Sequence, residues 1–503
     1  MSAFTGEQLE DAIAVLERII DDRTLLTHMP TETRVRLLTA AGRVSRPTRD
    51  EHRPIAKVFR KIVKRQRILH DRDVTAETEI RAARRNEVFV APARLLETTA
   101  PVPQVEEPVR ELENPRKCYV CKAEYRRLHF FYDALCADCA TLNYEKRFQT
   151  TSLEGRVALI TGARVKIGFH AALMMLRAGA RVLVTTRFPN DAAARFAREE
   201  DYPRWKDRLE VFGLDLRHAP SVETFSKWLC QTESRLDILI NNAAQTVRRP
   251  PGFYKHMLEL EQTPHDLPIL KAHEALKSAL AEPRAAHTKE LASFAWEDAA
   301  VGIHASAMLS QLPSVYEDAT HDEAHFPAGR ADADLQQVDL RTVNSWRLTL
   351  GDVPAPEMLE VQLVNAVAPF ILCSKLKPLM TRDRTDEKHI VNVSAMEGKF
   401  SRHTKTDRHP HTNMAKAALN MMTLTSAPDY AKDGIYMNAV DTGWVTDEDP
   451  AQLAERKTAA HDFQPPLDIV DGAARICDPF FHGLITGTHV YGKFLKDYAP
   501  TEW

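Results

Sequence analysis

The chain has 503 residues, enough for two to four domains, because single hydrophobic cores stop growing beyond roughly 250–300 residues. Hydrophobic residues make up 44% and charged residues 27%, as in an ordinary soluble protein, and the net charge of −3 excludes an overall attraction to nucleic acid or to an anionic membrane. No apolar run approaches the roughly 20 residues that span a bilayer, and the acidic N-terminus lacks the apolar region of a signal peptide, so we expect a cytoplasmic protein without a membrane anchor.

Residues 1–96 are predicted to form an α-helical N-terminal domain. Thr5 followed by Gln8 is typical of a capping box, and leucine and isoleucine then recur at helical spacing up to Ile20. A second helix is predicted over residues 32–41, and a third after Pro54, where lysines and arginines alternate with apolar residues. A basic amphipathic helix can bind phosphates or an anionic lipid surface, but acidic residues follow this one directly. We therefore favour a solvated helix that packs through its apolar stripe.

A proline- and glutamate-rich stretch, residues 97–115, predicts an extended linker, and a small cysteine module at 116–147 follows it. Two CxxC pairs lie in this module, fourteen residues apart: Cys118 with Cys121, and Cys136 with Cys139. Each pair supplies two thiolates from one tight turn, and four thiolates complete the tetrahedron that Zn²⁺ prefers. The spacing predicts a structural zinc site of the zinc-ribbon kind, with unliganded thiols or a redox pair as the alternative. An odd total of seven cysteines fits a reducing compartment.

A nucleotide-binding pattern begins after the module. An apolar strand over residues 157–161 runs into a glycine turn, an apolar helix and a second strand that ends at Arg187. In this order the backbone N–H groups of the turn and the helix N-terminus face a pyrophosphate. A third strand ends at Asp215, and a fourth is followed by Asn241, Asn242 and two alanines.

From about residue 153 the chain resembles the short-chain dehydrogenase/reductase superfamily, and Asn-Asn-Ala-Ala after an apolar strand is the most specific element of that resemblance. The resemblance implies an α/β fold, a doubly wound parallel-sheet Rossmann domain over residues 153–503. It implies that Asp215 contacts the adenine and that Asn241 lies near the adenine ribose. The residues expected to form the phosphate loop are Thr161, Gly162, Arg164, Lys166, Ile167 and Gly168.

Two departures from the family pattern concern the cofactor. The second strand ends in Arg187, where an acidic residue would bind the ribose 2′-OH of NAD, so NADP(H) is favoured over NAD. Lys166 replaces the middle glycine of the phosphate loop. Either Lys166 reaches a phosphate, helped by Arg164, or the loop is degenerate and binds no dinucleotide.

Two of the family's four catalytic positions are occupied by the expected residues. Asn365 and Lys416 occupy the family's Asn and Lys positions, but Thr412 stands where the catalytic Tyr would be and Ala395 where the Ser would be. The resemblance also implies that Lys416 binds the cofactor through the nicotinamide ribose, a role that could persist for binding alone. A Thr hydroxyl is a far weaker acid than a phenol with a pKa of about 10, so Lys416 cannot make it a useful acid. His411 adjoins the Tyr position and is the predicted substitute proton donor. The alternatives are a metal site with His409 and His403, and a polar surface loop.

An insertion over about 246–354 separates the Asn-Asn motif from Asn365, and a lid, a substrate cap and a partner surface remain open as its role. We expect an NADP(H)-binding member of the family, an oxidoreductase with a non-standard proton donor acting on an unidentified small molecule. The alternative is a non-catalytic dinucleotide sensor or scaffold that engages a protein partner through the zinc module and the N-terminal helices, or through the insertion. A nucleic-acid-binding arm over 1–147 is a third, disfavoured hypothesis, and the family relationship predicts a homo-oligomer.

Overall fold

The computed structural model describes residues 4–86, 88, 110–263, 267–281, 300–319, 324–333, 336–401 and 405–503. These residues form two compact units, Met1–Asp71 and Arg72–Trp503. The first predicted domain therefore ends earlier than residue 96, because residues 72–84 pack within the second unit. Ile80, for example, is fully buried and its N–H donates to the carbonyl of Phe131 in the cysteine module.

The first unit is helical, as its periodicity predicts. Helix α1 (Gly6–Asp21) begins with the expected capping box, in which Thr5 and Gln8 each accept a hydrogen bond from the other's backbone N–H. Helix α2 (Thr31–Ser45) follows, and α3 (Arg49–Ala76) continues into the second unit. Pro54 lies inside α3 rather than before it; near a helix start it removes only one backbone hydrogen bond.

The cysteine module consists of α4 (Glu79–Ala83), the antiparallel strands β1 (Glu111–Lys117) and β2 (Glu124–Arg127), and α5 (Ala137–Arg147). Strand β1 corrects the linker prediction, since residues 111–115 belong to this strand, which pairs with β2. Pro115 is tolerated there because the register of β1 shifts between Glu111 and Arg116, which leaves it outside the regular ladder. Residues 97–109 lie outside the described residues.

An eight-stranded sheet confirms the doubly wound fold. Its strands are β3 (Val157–Thr161), β4 (Arg181–Thr186), β5 (Leu209–Gly213), β6 (Ile238–Asn241), β7 (Lys388–Ser394), β8 (Ile435–Asp441), β9 (Phe494–Lys496) and β10 (Ala499–Thr501). They lie in the order β5-β4-β3-β6-β7-β8-β9-β10, all parallel except β10. The order reverses between β3 and β6, so the crevice at the carboxyl ends of these two strands is where such a sheet binds a ligand.

Helices cover both faces of the sheet. In chain order they are α6 (Lys166–Arg177), α7 (Pro189–Ala197), α8 (Tyr202–Trp205), α9 (Ala219–Thr232), α10 (Pro251–Tyr254), α11 (Leu258–Gln262), α12 (Lys271–Ala281), α13 (Ala355–Gln362), α14 (Ala368–Met380), α15 (Pro410–Ala431), α16 (Ala451–His461) and α17 (Ile469–Thr486). One core cluster joins the sheet to α6, α7 and α17, and a second joins it to α9, α12, α14 and α15.

The continuous helical stretch Ala355–Met380 is long and apolar enough to span a bilayer by length and composition. It nevertheless packs in the second core cluster through buried residues such as Leu372 and Leu376, as a covering helix of this fold does.

The insertion is partly helical and is anchored to α13. Helix α12 lies in the insertion, and residues 282–299 fall outside the described residues. Buried Arg248 contacts Asp318 at 2.6 Å and Glu360 of α13 at 3.1 Å. These ion pairs fix the insertion beside the carboxyl edge of the sheet.

Candidate functional site

The turn between β3 and α6 is shaped by two glycines. Gly162 has φ +68°, and a Cβ on it would lie 2.8 Å from the Cα of Ala243. A Cβ on Gly168 would lie 2.6 Å from the carbonyl oxygen of Gly162. The turn can therefore approach the loop after β6 only with glycine at both positions. Lys166 has φ +57°, a left-handed backbone conformation that a glycine adopts more easily than a lysine.

Thr161 and Asn242 join the loops after β3 and β6. The Thr161 hydroxyl accepts hydrogen bonds from the N–H groups of Asn242 and Ala243, and the Asn242 amide donates to the carbonyls of Thr161 and Gly162. The Asn241 side chain instead lies inside the sheet and donates to Asn392 of β7 at 2.8 Å. Asn241, expected near the adenine ribose, therefore does not line the crevice, whereas the next residue, Asn242, does, because successive side chains point to opposite sides.

The crevice contains a cavity of about 380 Å³. It extends from the ends of β4 and β5, past the β3–α6 turn, to the loop after β8, and the insertion supplies part of its wall. The predicted residues that line it are Gly162, Arg164, Lys166, Ile167, Gly168, Arg187 and Asp215. Lining residues that the sequence did not predict are Arg217, Asn242, Arg249, Phe253, Tyr254, Gln336, Val445, Thr446 and Glu448, among others.

Arg187 lies at one end of the cavity against an aromatic wall. Its Nη2 donates to the Tyr254 hydroxyl at 2.6 Å, and its guanidinium carbon lies 4.6 Å from the centre of that ring. Tyr254 in turn stacks on Phe188 in a small apolar cluster that includes Phe253 and Phe326 of the insertion. In the part of the chain that the structure describes, no carboxylate forms an ion pair with Arg187. A phosphate group fits such an arginine better than a ribose diol does.

The other cationic side chains near Arg187 are paired with carboxylates. Arg217 binds the buried Asp215 at 2.6 Å, and Arg164 binds Asp191 at 2.6 Å. Burial favours the neutral form of Asp215, but hydrogen bonds from Arg217 outweigh it and lower the pKa of Asp215. Asp215 therefore stays ionised at the cavity edge. The help that Arg164 was expected to give Lys166 is weakened by its pairing with Asp191.

Asn365 lies in a π-helical turn, Leu363–Val367, between α13 and α14. Its side-chain oxygen accepts from the N–H of Gln245 at 2.7 Å and its amide donates to the carbonyl of Gln245 at 3.2 Å. Such π turns occur often at functional sites. Here the Asn365 side chain holds the loop that follows β6 and does not itself line the cavity.

The positions of the catalytic Tyr and Lys lie one turn apart at the start of α15. Lys416 is buried and its Nζ donates to the carbonyl of Val393 at 2.8 Å. Burial lowers the pKa of Lys416 to about 8. The Thr412 hydroxyl is buried without a hydrogen-bond partner among the described residues, and Ala395 offers no hydroxyl. Neither Thr412 nor Lys416 lines the cavity.

His409 and His411, at the start of α15, do not line the cavity. His411 is almost fully buried, with Nε2 3.3 Å from a Glu357 oxygen in a geometry that does not meet that of a hydrogen bond. His409 stacks on Trp346 with ring centres 3.8 Å apart, and His403 lies outside the described residues. Among the described residues, neither histidine belongs to a group of three possible metal ligands. His411 as proton donor stays a prediction.

Asp441 is a buried acid that the sequence analysis missed. It ends β8, just before Thr442 and Gly443, and its carboxylate lies 3.9 Å from Lys496 Nζ. Burial raises the pKa of Asp441 to about 6. The signal was present in the sequence as an Asp at the end of an apolar strand.

The four cysteines of the module converge, so they could hold a metal ion. One ligand atom from each lies within 4.8 Å of the others, and the sulfurs of Cys121 and Cys136 are 3.6 Å apart. Four sulfurs at about 2.3 Å from a tetrahedral ion are separated by nearly this distance. A hydrogen bond from Ala123 lowers the pKa of Cys121 to about 7, which favours the thiolate that a metal needs.

Comparisons with known proteins agree with this geometry. A family model described as short chain dehydrogenase matches residues 156–261, and one described as enoyl-(acyl carrier protein) reductase matches 343–467. The residues between the two matches lie inside the insertion.

Two known proteins and one solved structure are among those similar to this chain. An uncharacterized protein of Acanthamoeba polyphaga mimivirus is 28% identical over 377 residues, which are 73% of this chain and 71% of that protein. A short-chain dehydrogenase/reductase of Pyricularia grisea is 24% identical over 201 residues, 40% of this chain and 81% of that protein. Among solved structures, the Pseudomonas aeruginosa RhlG/NADP active-site complex is 18% identical and covers 69% of this chain and 95% of its own, with a TM-score of 0.42.

Proposed function

We infer that this chain, which belongs to the short-chain dehydrogenase/reductase superfamily, binds NADP(H) in the crevice at the carboxyl ends of β3 and β6. The observation that carries the inference is Arg187, which lines the cavity at the end of β4 without an ion-pair partner among the described residues. An NAD-binding site needs an acid at this point, whereas a 2′-phosphate needs a cation.

The rest of the cleft fits a dinucleotide. Gly162 and Gly168 add no side chain at their own positions in the turn, so a pyrophosphate can approach the N-terminus of α6 there. Lys166 adds a positive charge to the same turn and lines the cavity. Asp215 and Asn242 supply polar groups to either side of it.

We further propose that the protein is an oxidoreductase with a non-standard proton donor. NADPH, when bound, would supply a hydride while the chain supplies a proton; in the reverse direction NADP would accept the hydride and the chain the proton. Thr412 cannot do this near neutral pH, whereas the buried amine of Lys416, with its pKa lowered to about 8, titrates in the useful range. Lys416 therefore joins His411 as a candidate acid.

One observation favours the alternative, a non-catalytic dinucleotide sensor or scaffold. Asn365, His411, Thr412 and Lys416 all lie outside the lining of the cavity that Arg187 and Lys166 share. In such a protein the cysteine module, the N-terminal helices or the insertion would engage a protein partner.

We also propose that the four cysteines bind zinc in a structural role, because four thiolates leave no open position for water. The homo-oligomer and the cytoplasmic location stay predictions.

Fluorescence titration of the full chain with NADPH and NADH tests the proposed cofactor. We expect NADPH to bind more tightly than NADH, and Arg187→Ala to weaken NADPH by at least tenfold while changing NADH little, since a charge-assisted hydrogen bond contributes about 1.5–3 kcal/mol. Arg195→Ala is the matched control, because Arg195 lies on α7 and pairs with Asp191. Equal binding of the two cofactors, unchanged in Arg187→Ala, would contradict the proposal.

A second measurement separates enzyme from sensor. The absorbance of the nicotinamide is followed with a panel of aldehydes and ketones. Turnover that Lys416→Met abolishes while NADPH still binds supports the oxidoreductase. Tight NADPH binding with no turnover on any carbonyl compound favours the sensor.

A further inference from the structure

The cysteine module packs directly against the nucleotide-binding domain. Arg147 of α5 is buried and contacts Asp468 at 2.6 Å and Asp471 at 2.9 Å, at the N-terminus of α17. The Tyr132 hydroxyl donates to the same Asp471, and Asn143 accepts from Arg475 of α17, each at 2.5 Å. Buried charges held by several hydrogen bonds fix one geometry, so the module and α17 form a rigid pair.

The module also contacts the loop that follows β8. Tyr119 is the residue after Cys118, inside the first CxxC pair, and its hydroxyl accepts a hydrogen bond from the backbone N–H of Trp444 at 2.9 Å. Gly443, just before Trp444, has φ +77°, and a Cβ there would lie 2.5 Å from Leu467. The backbone at residues 443–444 is thus confined between the module and Leu467.

The opposite side of this loop faces the cavity. Val445 and Thr446 line it, as does Ile167 of the phosphate turn. Val445 and Ile167 also belong to the apolar cluster of the module, together with Leu467, Phe131 and other buried residues. A Cβ added to Gly472 of α17 would lie 2.9 Å from Ile167 and 3.3 Å from Val445, so these two side chains have little freedom.

We propose that Tyr119 is a positioning residue for the dinucleotide: it holds the backbone of Trp444 so that Val445 and Thr446 form the wall of the cavity farthest from Arg187. The inference rests on the proposed binding of NADP(H). With the adenosine 2′-phosphate at Arg187, the nicotinamide half of the cofactor extends toward this wall. The cysteine module is then a part of the binding site and not only an appended domain.

The test compares two tyrosines of the module. Tyr119→Phe removes the acceptor for the Trp444 N–H, whereas Tyr125→Phe removes a hydroxyl that donates to the Asp133 carbonyl inside the module. Each variant is titrated with NADPH and with 2′,5′-ADP, which carries the adenosine and its 2′-phosphate but no nicotinamide. Unfolding midpoints and bound metal are measured in parallel.

We expect Tyr119→Phe to weaken NADPH binding by about fivefold, the effect of one lost hydrogen bond, and to leave 2′,5′-ADP unchanged. Tyr125→Phe should lower the unfolding midpoint and change neither affinity. Equal NADPH affinities in wild type, Tyr119→Phe and Tyr125→Phe would overturn the role of Tyr119 but not the proposed binding of NADP(H). An equal loss for NADPH and 2′,5′-ADP would also overturn it, because it would indicate general loosening. A wild-type protein that binds neither ligand would overturn the proposed function itself.

Discussion

Lys166 is the residue at which stability and cofactor binding should respond in opposite directions. Its φ of +57° places a side chain in a left-handed conformation, which costs about 1–2 kcal/mol. Lys166→Gly removes this cost, but a glycine adds about 0.5–1 kcal/mol of chain entropy to the unfolded state. The balance predicts a folded state that is more stable by roughly 0–1 kcal/mol.

The same change removes a cation from the phosphate turn. If Lys166 binds a cofactor phosphate, the lost charge-assisted hydrogen bond contributes about 1.5–3 kcal/mol, so the Kd for NADPH should rise by roughly tenfold or more. Lys166→Ala separates the two effects, because it removes the charge and keeps a Cβ at the same φ. It should bind NADPH as weakly as Lys166→Gly and be no more stable than the wild type.

The assays are urea unfolding at equilibrium and fluorescence titration with NADPH, both on the full chain. Salt provides a further check, since the difference in affinity between wild type and Lys166→Ala should shrink as ionic strength rises. Tighter binding in Lys166→Gly than in the wild type would refute the reasoning, because it would show that the Lys side chain obstructs the site. Unchanged binding in both variants would refute the phosphate contact.

Two further predictions concern the module and the buried lysine. Cys136→Ser should abolish the binding of one zinc ion per chain and lower the unfolding midpoint, whereas Cys230→Ser, outside the cluster, should do neither; metal analysis and thermal unfolding measure this. Burial lowers the pKa of Lys416 to about 8 from 10.5, so between these two pH values the unfolded chain binds more protons than the folded chain. The wild type should therefore gain stability relative to Lys416→Met as the pH rises through this range, which urea unfolding measures. A stability difference that does not change with pH across that window would contradict the shift.

The nucleotide-binding unit could be predicted closely from the sequence. The run Val157–Thr161 forms β3 with the predicted bounds, because a buried parallel strand is a continuous apolar run and the glycines of the following turn mark its end. The four cysteines converge as their spacing predicts, because a CxxC turn leaves little freedom to its two sulfurs. These are local signals, each contained in a few neighbouring residues.

What the sequence could not supply depends on contacts between distant segments. Asn241 ends β6 and lies inside the sheet, whereas Asn242 follows it and faces the crevice. The pairing of β6 with β7 decides which of the two side chains faces which way. Residues 111–115 were predicted to be a linker because β1 forms only through its hydrogen bonds to β2, which lies later in the chain. Tyr254 belongs to no sequence motif. It contacts Arg187 because the ion pairs of Arg248 hold the insertion beside the sheet.

The altered catalytic half contains one costly polar group, the buried amine of Lys416. In the part of the chain that is described, no carboxylate forms an ion pair with Lys416, and its Nζ donates to a single backbone carbonyl. Burying an amine this way costs stability, which a methionine of similar length would not. Lys416 does not line the cavity around Arg187, so that cavity alone does not account for its buried amine. The Thr412 hydroxyl, one turn away, is also buried without a hydrogen-bond partner among the described residues. Two buried polar groups thus lie at the positions of the family's Tyr and Lys, and the comparison of NADPH binding with turnover in Lys416→Met decides whether they serve proton transfer or cofactor binding.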